Sequence, residues 1–353
     1  MSDSKALTIA VIGDHFMKPD YFVTALKKLD NVDLSYRIWE QDWPDTAMTH
    51  GYAAGLPDEL RGLKEFMGDP AGTVKFIGDA DILVNHLAPI TGPMLDKLPN
   101  LRLIAVSRGG PVNIDMQAAR DRKVAVVNAP GRNASAVAEF TIGMILAETR
   151  LITQGHVALS RGTWRGDLYR ADVTGDELSN MTVGVVGYGH IGTKVVRLLK
   201  PFGCQVLVCD PYVKLAPQDT ADGVRRVSLD ELLPASDIVT LHARVTEETT
   251  RFIAAPQFAL MKDGVYFINT ARGPLVDYDA LYDALTSGKI RGAGLETFAI
   301  EPPPPDWPLL QLPNVTLTPH IAGASLQTVK YAAGMIAEEI RRYLDGEAFL
   351  NPC

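Results

Sequence analysis

Short apolar runs recur through the first third of the chain, at Leu7–Ile12, Val32–Ile38, Ile82–Val84, Leu101–Val106 and Val124–Val127, each followed by a stretch with helical periodicity. This is βα alternation, the mark of a parallel sheet covered by helices. The stretch from Gln41 to Gly72, broken by Pro44, Gly51, Gly55, Pro57, Gly62, Gly68 and Pro70, predicts an insertion with at most one short helix. From Ala134 to Arg150 the pattern becomes one helix that is apolar almost all round, as expected of a helix buried between two bodies. After the polar segment Ser160–Asn180 the alternation restarts: strand Thr182–Val186, helix Ile191–Pro201, then strands Val206–Cys209, Ile238–Leu241, Val265–Ile268, Ile290–Leu295 and Val315–Leu317. The predicted class is α/β with two doubly wound parallel sheets, and 353 residues suffice for two domains. A final helix, about Ala324–Tyr343, has no strand after it, and periodicity does not say which sheet it covers.

Composition narrows the partners. With 34 Lys+Arg against 42 Asp+Glu the net charge is −8, so no basic excess is present to neutralise a nucleic acid. No run of about 18 apolar residues is available to span a bilayer, and the opening MSDSKALTIAVIGD lacks the long apolar region of a signal peptide. Three cysteines are too few for a disulfide framework. Cys204 and Cys209 fall five positions apart on one predicted strand, about 16 Å, and cannot bridge one another. These features predict a reducing, cytoplasmic setting. His15, His50 and His156 have no partner at metal-ligand spacing, and no metal site is expected.

The candidate chemistry begins at Val183-Gly-Val-Val-Gly-Tyr-Gly-His-Ile-Gly192, which places G-x-G-x-x-G directly between a strand and a helix. Gly187 permits the tight turn, Gly189 lets the backbone approach a pyrophosphate, and Gly192 allows close packing of helix on strand. Asp210 ends the next strand 18 residues beyond Gly192, where a ribose 2′-OH would be held. Its charge would repel a 2′-phosphate and no Arg occupies 211–213, so NAD is favoured over NADP. Farther on, Arg272, Glu296, Glu301 and His320 each fall just past a predicted strand. The carboxyl ends of strands are where open α/β sheets bind ligands, and this set contains an anion anchor, an acid/base and a carboxylate to orient it.

Together with Val137-Ala-Glu-Phe-Thr-Ile-Gly-Met-Ile-Leu-Ala, Gly175-Asp-Glu-Leu, Asn269-Thr-Ala-Arg-Gly, Glu301-Pro302 and Thr318-Pro-His320, the chain resembles the D-isomer-specific 2-hydroxyacid dehydrogenases, a family that includes phosphoglycerate dehydrogenases. The resemblance runs from about Ile82 to His320. It implies a Rossmann nucleotide domain, 117–319, inserted in a flavodoxin-like substrate domain, 1–116 and 320–353. It also implies NAD-dependent interconversion of a 2-oxo acid and a D-2-hydroxy acid, with Arg272, Glu301 and His320 catalytic. Cofactor contacts would come from Gly187, Gly189, His190, Ile191, Gly192, Asp210, His242, Ala243, Thr270, Ala271, Arg272, Glu296, His320 and Gly323. The substrate carboxylate would sit on the N–H groups of Leu87 and Ala88 and on Arg272. The family pairs through its nucleotide domains, which implies a homodimer built on the helix near Ala134–Arg150 and the arm Ser160–Asn180. A rival reading on the same fold is an NAD(H)-sensing scaffold or corepressor that need not turn over substrate.

Four departures from the family pattern bear on substrate rather than catalysis. Leu295-Glu-Thr-Phe298 carries Glu296 where the family usually has Asp, and Arg244 stands in a segment that usually has Pro. The segment Arg108–Asp115 is about two residues short. Asn85 stands where phosphoglycerate enzymes commonly have Arg, so an unphosphorylated acid is expected to be favoured unless Arg108 or Arg244 compensates.

Overall fold

The computed structural model describes residues 7–29, 33–43 and 48–353; Val32 and Pro44, named above, lie outside these. The chain forms two compact units, one comprising the residues up to Asn133 together with Ala324–Cys353, the other Ala134–Gly323.

The first unit holds a parallel sheet of strands β1 (Leu7–Asp14), β2 (Leu34–Gln41), β3 (Ile82–Asn85), β4 (Leu103–Val106) and β5 (Ala125–Asn128), in the order β2-β1-β3-β4-β5. This is the flavodoxin-like order. Alternate residues of β1 serve opposite faces: Ile9 and Val11 enter one core with Phe22, Val84 and Ala105, while Ala10 and Ile12 enter another with Leu83, Ile104 and Val106. The helix Leu326–Leu344 packs Val329, Ala332, Ile336 and Ile340 into the first of these cores. That settles which sheet the last helix covers. Within the insertion, an antiparallel bridge joins Thr49 to Phe66, one short turn of helix spans Asp58–Leu60, and Leu60, Leu63 and Phe66 form a small core.

The expected boundary at 116/117 needs correction. Strand β5 pairs with β4 throughout, Leu103 opposite Ala125 and Val106 opposite Asn128, so residues 117–133 belong to the first unit. At the other crossing, 320–323 stay with the second unit.

The second unit holds β6 (Thr182–Val186), β7 (Gln205–Cys209), β8 (Arg225–Arg226), β9 (Ile238–Leu241), β10 (Val265–Asn269), β11 (Ile290–Leu295) and β12 (Val315–Leu317), ordered β12-β11-β10-β9-β6-β7-β8 and all parallel. The strand order reverses beside β6, which makes its carboxyl end the topological switch point. The helix Ala134–Thr149 buries Ala138, Ile142, Met144 and Ile145 against this sheet with Val183, Val185 and Ile268. One acid hides in the same helix: burial pushes the Glu148 carboxyl up to about 7, against the hydrogen bond it accepts from the Thr316 hydroxyl. Among the described residues no helix is long and apolar enough to cross a membrane.

Candidate functional site

At the switch point the chain turns from β6 into the helix His190–Leu199. Gly187 has φ +101°, a conformation that side chains resist, and a Cβ there would lie 2.7 Å from the carbonyl of His242. A Cβ on Gly192 would lie 2.0 Å from the Gly187 carbonyl oxygen, so helix and turn touch only because both are glycines. Gly189 faces open space, with nothing within 4 Å of where a Cβ would stand, and no side chain caps the helix that follows. The first N–H groups of that helix, from His190, Ile191 and Gly192, are therefore left for an anion. An open glycine before an uncapped helix fits a dinucleotide pyrophosphate.

Asp210, just past β7, binds the turn together. Its Oδ2 accepts from Tyr188 N–H at 2.7 Å, and its Oδ1 from Tyr212 and Val213 N–H, both at 2.9 Å. The sequence pattern gives no hint of Arg226. Strand β8 carries it to the same edge, where its guanidinium donates to the carbonyls of Asp210 at 2.9 Å and Pro211 at 3.0 Å. No apolar run announces β8, and a search of 211–213 cannot find a cation that arrives on another strand.

His242 follows β9, its N–H donating to Val186 O at 2.7 Å and its Nε2 paired with Thr240 Oγ1 at 3.0 Å. Burial pushes it down to about 3, so the ring is neutral, and its Nδ1 is shielded without a partner. Ala243 beside it is half-buried and Arg244 is exposed.

Past β10, Asn269 braces the next loop: its Oδ1 accepts from Ala271 N–H at 3.1 Å and its Nδ2 donates to Arg272 O at 3.1 Å. Thr270 is buried with its hydroxyl 2.7 Å from that of Thr141, while Arg272 is exposed. Past β11, Glu301 Oε1 accepts from Phe298 N–H at 2.9 Å, and Oε2 lies 2.8 Å from His320 Nδ1. Burial alone would lower the His320 imidazole, but the hydrogen bond and charge of Glu301 outweigh it and hold it above the ordinary histidine value, with Arg272 opposing. Such a pair can hold a proton at His320 near neutral pH and present it through Nε2.

Glu296 sits beneath this pair, 1% exposed. Its Oε1 accepts from Ala322 N–H at 2.8 Å and its carbonyl from His320 N–H at 3.0 Å, so it supports the loop leading to Gly323. Burial pushes its carboxyl up to about 7, with the His320 charge opposing. Sequence placed this residue by position; its bracing role comes only from the fold.

Two of the residues expected to hold substrate, Leu87 and Ala88, lie in the first unit, past β3, and one of them needs correction. Ala88 N–H is already taken by Asn85 Oδ1 at 3.1 Å, and its carbonyl accepts from Asn85 Nδ2 and Asn113 Nδ2, each at 2.8 Å. Leu87 O accepts from Met67 N–H at 2.9 Å. Of the two expected donors, only the Leu87 N–H lacks an acceptor among the described residues. Asn85 is fully buried and serves as the brace of its own loop. Among the described residues no group of three or more His, Cys, Asp or Glu side chains is placed to hold a metal ion.

Residues 142–322 match the family described as D-isomer specific 2-hydroxyacid dehydrogenase, NAD binding domain. The chain is 42% identical over 280 residues to D-3-phosphoglycerate dehydrogenase of Methanocaldococcus jannaschii, covering 78% of this chain and 52% of that one, so it spans about half the length of that relative. It is 38% identical over 275 residues to glyoxylate reductase of Korarchaeum cryptofilum, covering 78% and 82%. The solved structure of D-2-hydroxyisocaproate dehydrogenase superposes with a TM-score of 0.80 at 28% identity, over 98% of this chain and 99% of that one. With an NAD binding domain of matching sequence and a whole-chain fold in common, the chain belongs to the D-isomer specific 2-hydroxyacid dehydrogenase family.

Proposed function

We propose that this protein interconverts a 2-oxo acid and a D-2-hydroxy acid, using NAD. The observation that carries the reading is the 2.8 Å pair of His320 and Glu301, set in the same unit as the uncapped glycine turn. Held at the glycine turn and Asp210, a bound NAD would supply the hydride chemistry at C2 of the acid. Arg272 binds the carboxylate and the carbonyl oxygen, and the Leu87 N–H takes a share of the carboxylate. In reduction, His320 gives its Nε2 proton to the developing alkoxide; in oxidation, neutral His320 takes the hydroxyl proton. Glu301 fixes the ring by accepting from Nδ1–H and favours the imidazolium.

A panel of 2-oxo acids assayed by NADH oxidation tests this, with turnover of at least one expected. NADH binding without turnover of any would favour the scaffold reading instead. In the same assay NADH is expected to be preferred to NADPH. Asp210→Ala should weaken NADH by about tenfold or more, hydrogen bonds to charged groups contributing about 1.5–3 kcal/mol, and narrow the preference. Equal use of NADPH by the unaltered protein would remove the ribose role from Asp210.

The reading includes a homodimer in a reducing, cytoplasmic setting. Large side chains on the arm after the helix Ala134–Thr149 support a covered surface there: Trp164 is 84% and Tyr169 94% exposed in the single chain. Sedimentation at micromolar concentration should give twice the 38.3 kDa chain mass; a monomer would exclude the pairing.

A further inference from the structure

The first unit holds a group of buried and half-buried charged side chains that the proposed reaction does not use. Asp14, at the end of β1, is fully buried; its carboxylate accepts from Phe16 N–H at 2.9 Å and Met17 N–H at 2.8 Å and pairs with His86 Nδ1. Arg108, past β4, donates to the Glu65 carbonyl at 3.0 Å and to the Glu65 carboxylate. Both acids of the group are thus committed to partners.

Arg132, on the turn after β5, has no acid partner among the described residues. Its Nε is shut off from solvent without an acceptor, and among the described residues its guanidinium makes one hydrogen bond, from Nη1 to the Met17 thioether at 3.9 Å. Burial first and the Arg108 charge second push Arg132 down to about 9, with Asp14 and Glu65 opposing, which leaves it charged at neutral pH. His86 stays neutral: burial pushes it down to about 4 against the pull of Asp14, and the charges of Arg132 and Arg108 add to the fall. A guanidinium carries five donors in a fork suited to carboxylate or phosphate. With its Nε shut off from water and no acid hydrogen-bonded to it among the described residues, it is a costly group until a ligand supplies an anion. His86 also begins the loop that offers the free Leu87 N–H.

We propose that Arg132 is an anion subsite beside the Leu87 loop, so that the acid turned over carries a second carboxylate or phosphate at the far end of its chain. This rests on the dehydrogenase reading above. It also replaces the expectation drawn from Asn85 and the shortened Arg108–Asp115 segment: the amide at position 85 braces Ala88, and the cation missing there is supplied from the turn after β5. Arg108 adds its charge while its own donors stay on Glu65.

The test compares hydroxypyruvate, 3-phosphohydroxypyruvate and 2-oxoglutarate as substrates of the full chain and of Arg132→Met and Arg132→Lys. The unaltered protein should favour one of the two doubly charged acids over hydroxypyruvate. Arg132→Met should lose about 30-fold more kcat/KM on that acid than on hydroxypyruvate, chiefly through KM, and Arg132→Lys should recover part of it. Whichever acid shows the larger loss identifies the second anion as carboxylate or phosphate. Without ligand, Arg132→Met should keep or raise the thermal midpoint, because it removes an unpaired charge. Equal losses on all three acids, or a fallen midpoint accompanied by equal losses, would mark the residue as structural and overturn the proposal. If no acid is reduced, calorimetric titration with phosphoglycolate and glutarate separates the two readings. Binding that disappears in Arg132→Met keeps the anion subsite and discards the dehydrogenase; absence of binding discards the subsite.

Discussion

Replacing His320 by alanine is expected to lower kcat by about 10²–10⁴-fold in both directions, the usual scale for a general acid/base, and to flatten both limbs of the pH–rate profile. Glu301→Gln should act differently, because it keeps a hydrogen-bonding side chain 2.8 Å from Nδ1 and removes only the charge. The imidazole of His320 stands above its ordinary value chiefly because Glu301 overcomes the effect of burial. Without that charge it falls. Reduction needs the imidazolium, so its alkaline limb moves to lower pH; oxidation needs the neutral ring, so its acid limb also moves to lower pH, and the variant works where the parent has faded. The same raised value means the pair stabilises the fold most below about pH 6.5 and loses that contribution as pH rises through the folded-state value. A substrate isotope effect shows whether hydride transfer limits the rates compared. Limbs that stay in place in Glu301→Gln would reduce Glu301 to a positional carboxylate.

Gly273→Ala should be nearly as damaging, with no loss of a functional group. The α-carbon of Gly273 lies against the backbone of the 298–301 loop, and an added Cβ would fall 1.9 Å from Phe298 C, 2.1 Å from its oxygen and 2.3 Å from Ala299 N. Those neighbours are main chain and cannot swing aside. Either the Arg272 loop or the Glu301 loop must move, and a displacement of about 1 Å is enough to cost about 10²-fold in rate. Overpacking should also cost about 1–3 kcal/mol, a fall of several degrees in the thermal midpoint. Gly189→Ala is the control: nothing stands near its Cβ, so its midpoint should hold while NADH affinity falls. A Gly273→Ala enzyme with the kcat/KM and midpoint of its parent would show that the two loops are not coupled there.

Much of this architecture is legible in the chain, because a parallel sheet covered on both faces writes its strands as unbroken apolar runs. Ile238–Leu241, Ile290–Leu295 and Val315–Leu317 are strands at the bounds their apolar residues mark. An apolar run does not name its neighbour, however. Val124–Val127 reads as a strand, yet only its pairing with β4 assigns it to the first sheet. The strand Arg225–Arg226 has no apolar residue, since it lies exposed at the sheet edge, and so it and the Arg226 contact are invisible to periodicity. At the site, position past a strand end is enough to select Arg272, Glu296, Glu301 and His320. It is not enough to separate a residue that faces ligand from one that braces a loop. Glu296 and Asn85 are of the second kind, and what distinguishes them is burial and a hydrogen bond to the residues they support.

The two passages of the chain between units also order its birth on the ribosome. The second unit is one continuous segment, Ala134–Gly323, and has all its strands as soon as it emerges. The first sheet has its strands earlier still but not all of its cover. Its last strand ends at Asn128, and the helix whose Val329, Ala332, Ile336 and Ile340 seal one face begins only at Leu326. At about 5–20 residues per second, that leaves Ile9, Val11, Val84 and Ala105 with only part of their cover, from Phe22, Val23 and Leu26, for about 10–40 s of synthesis. The nascent protein therefore carries a finished nucleotide unit and a half-open apolar face at the same time, and that face is exposed to aggregation until the last helix arrives.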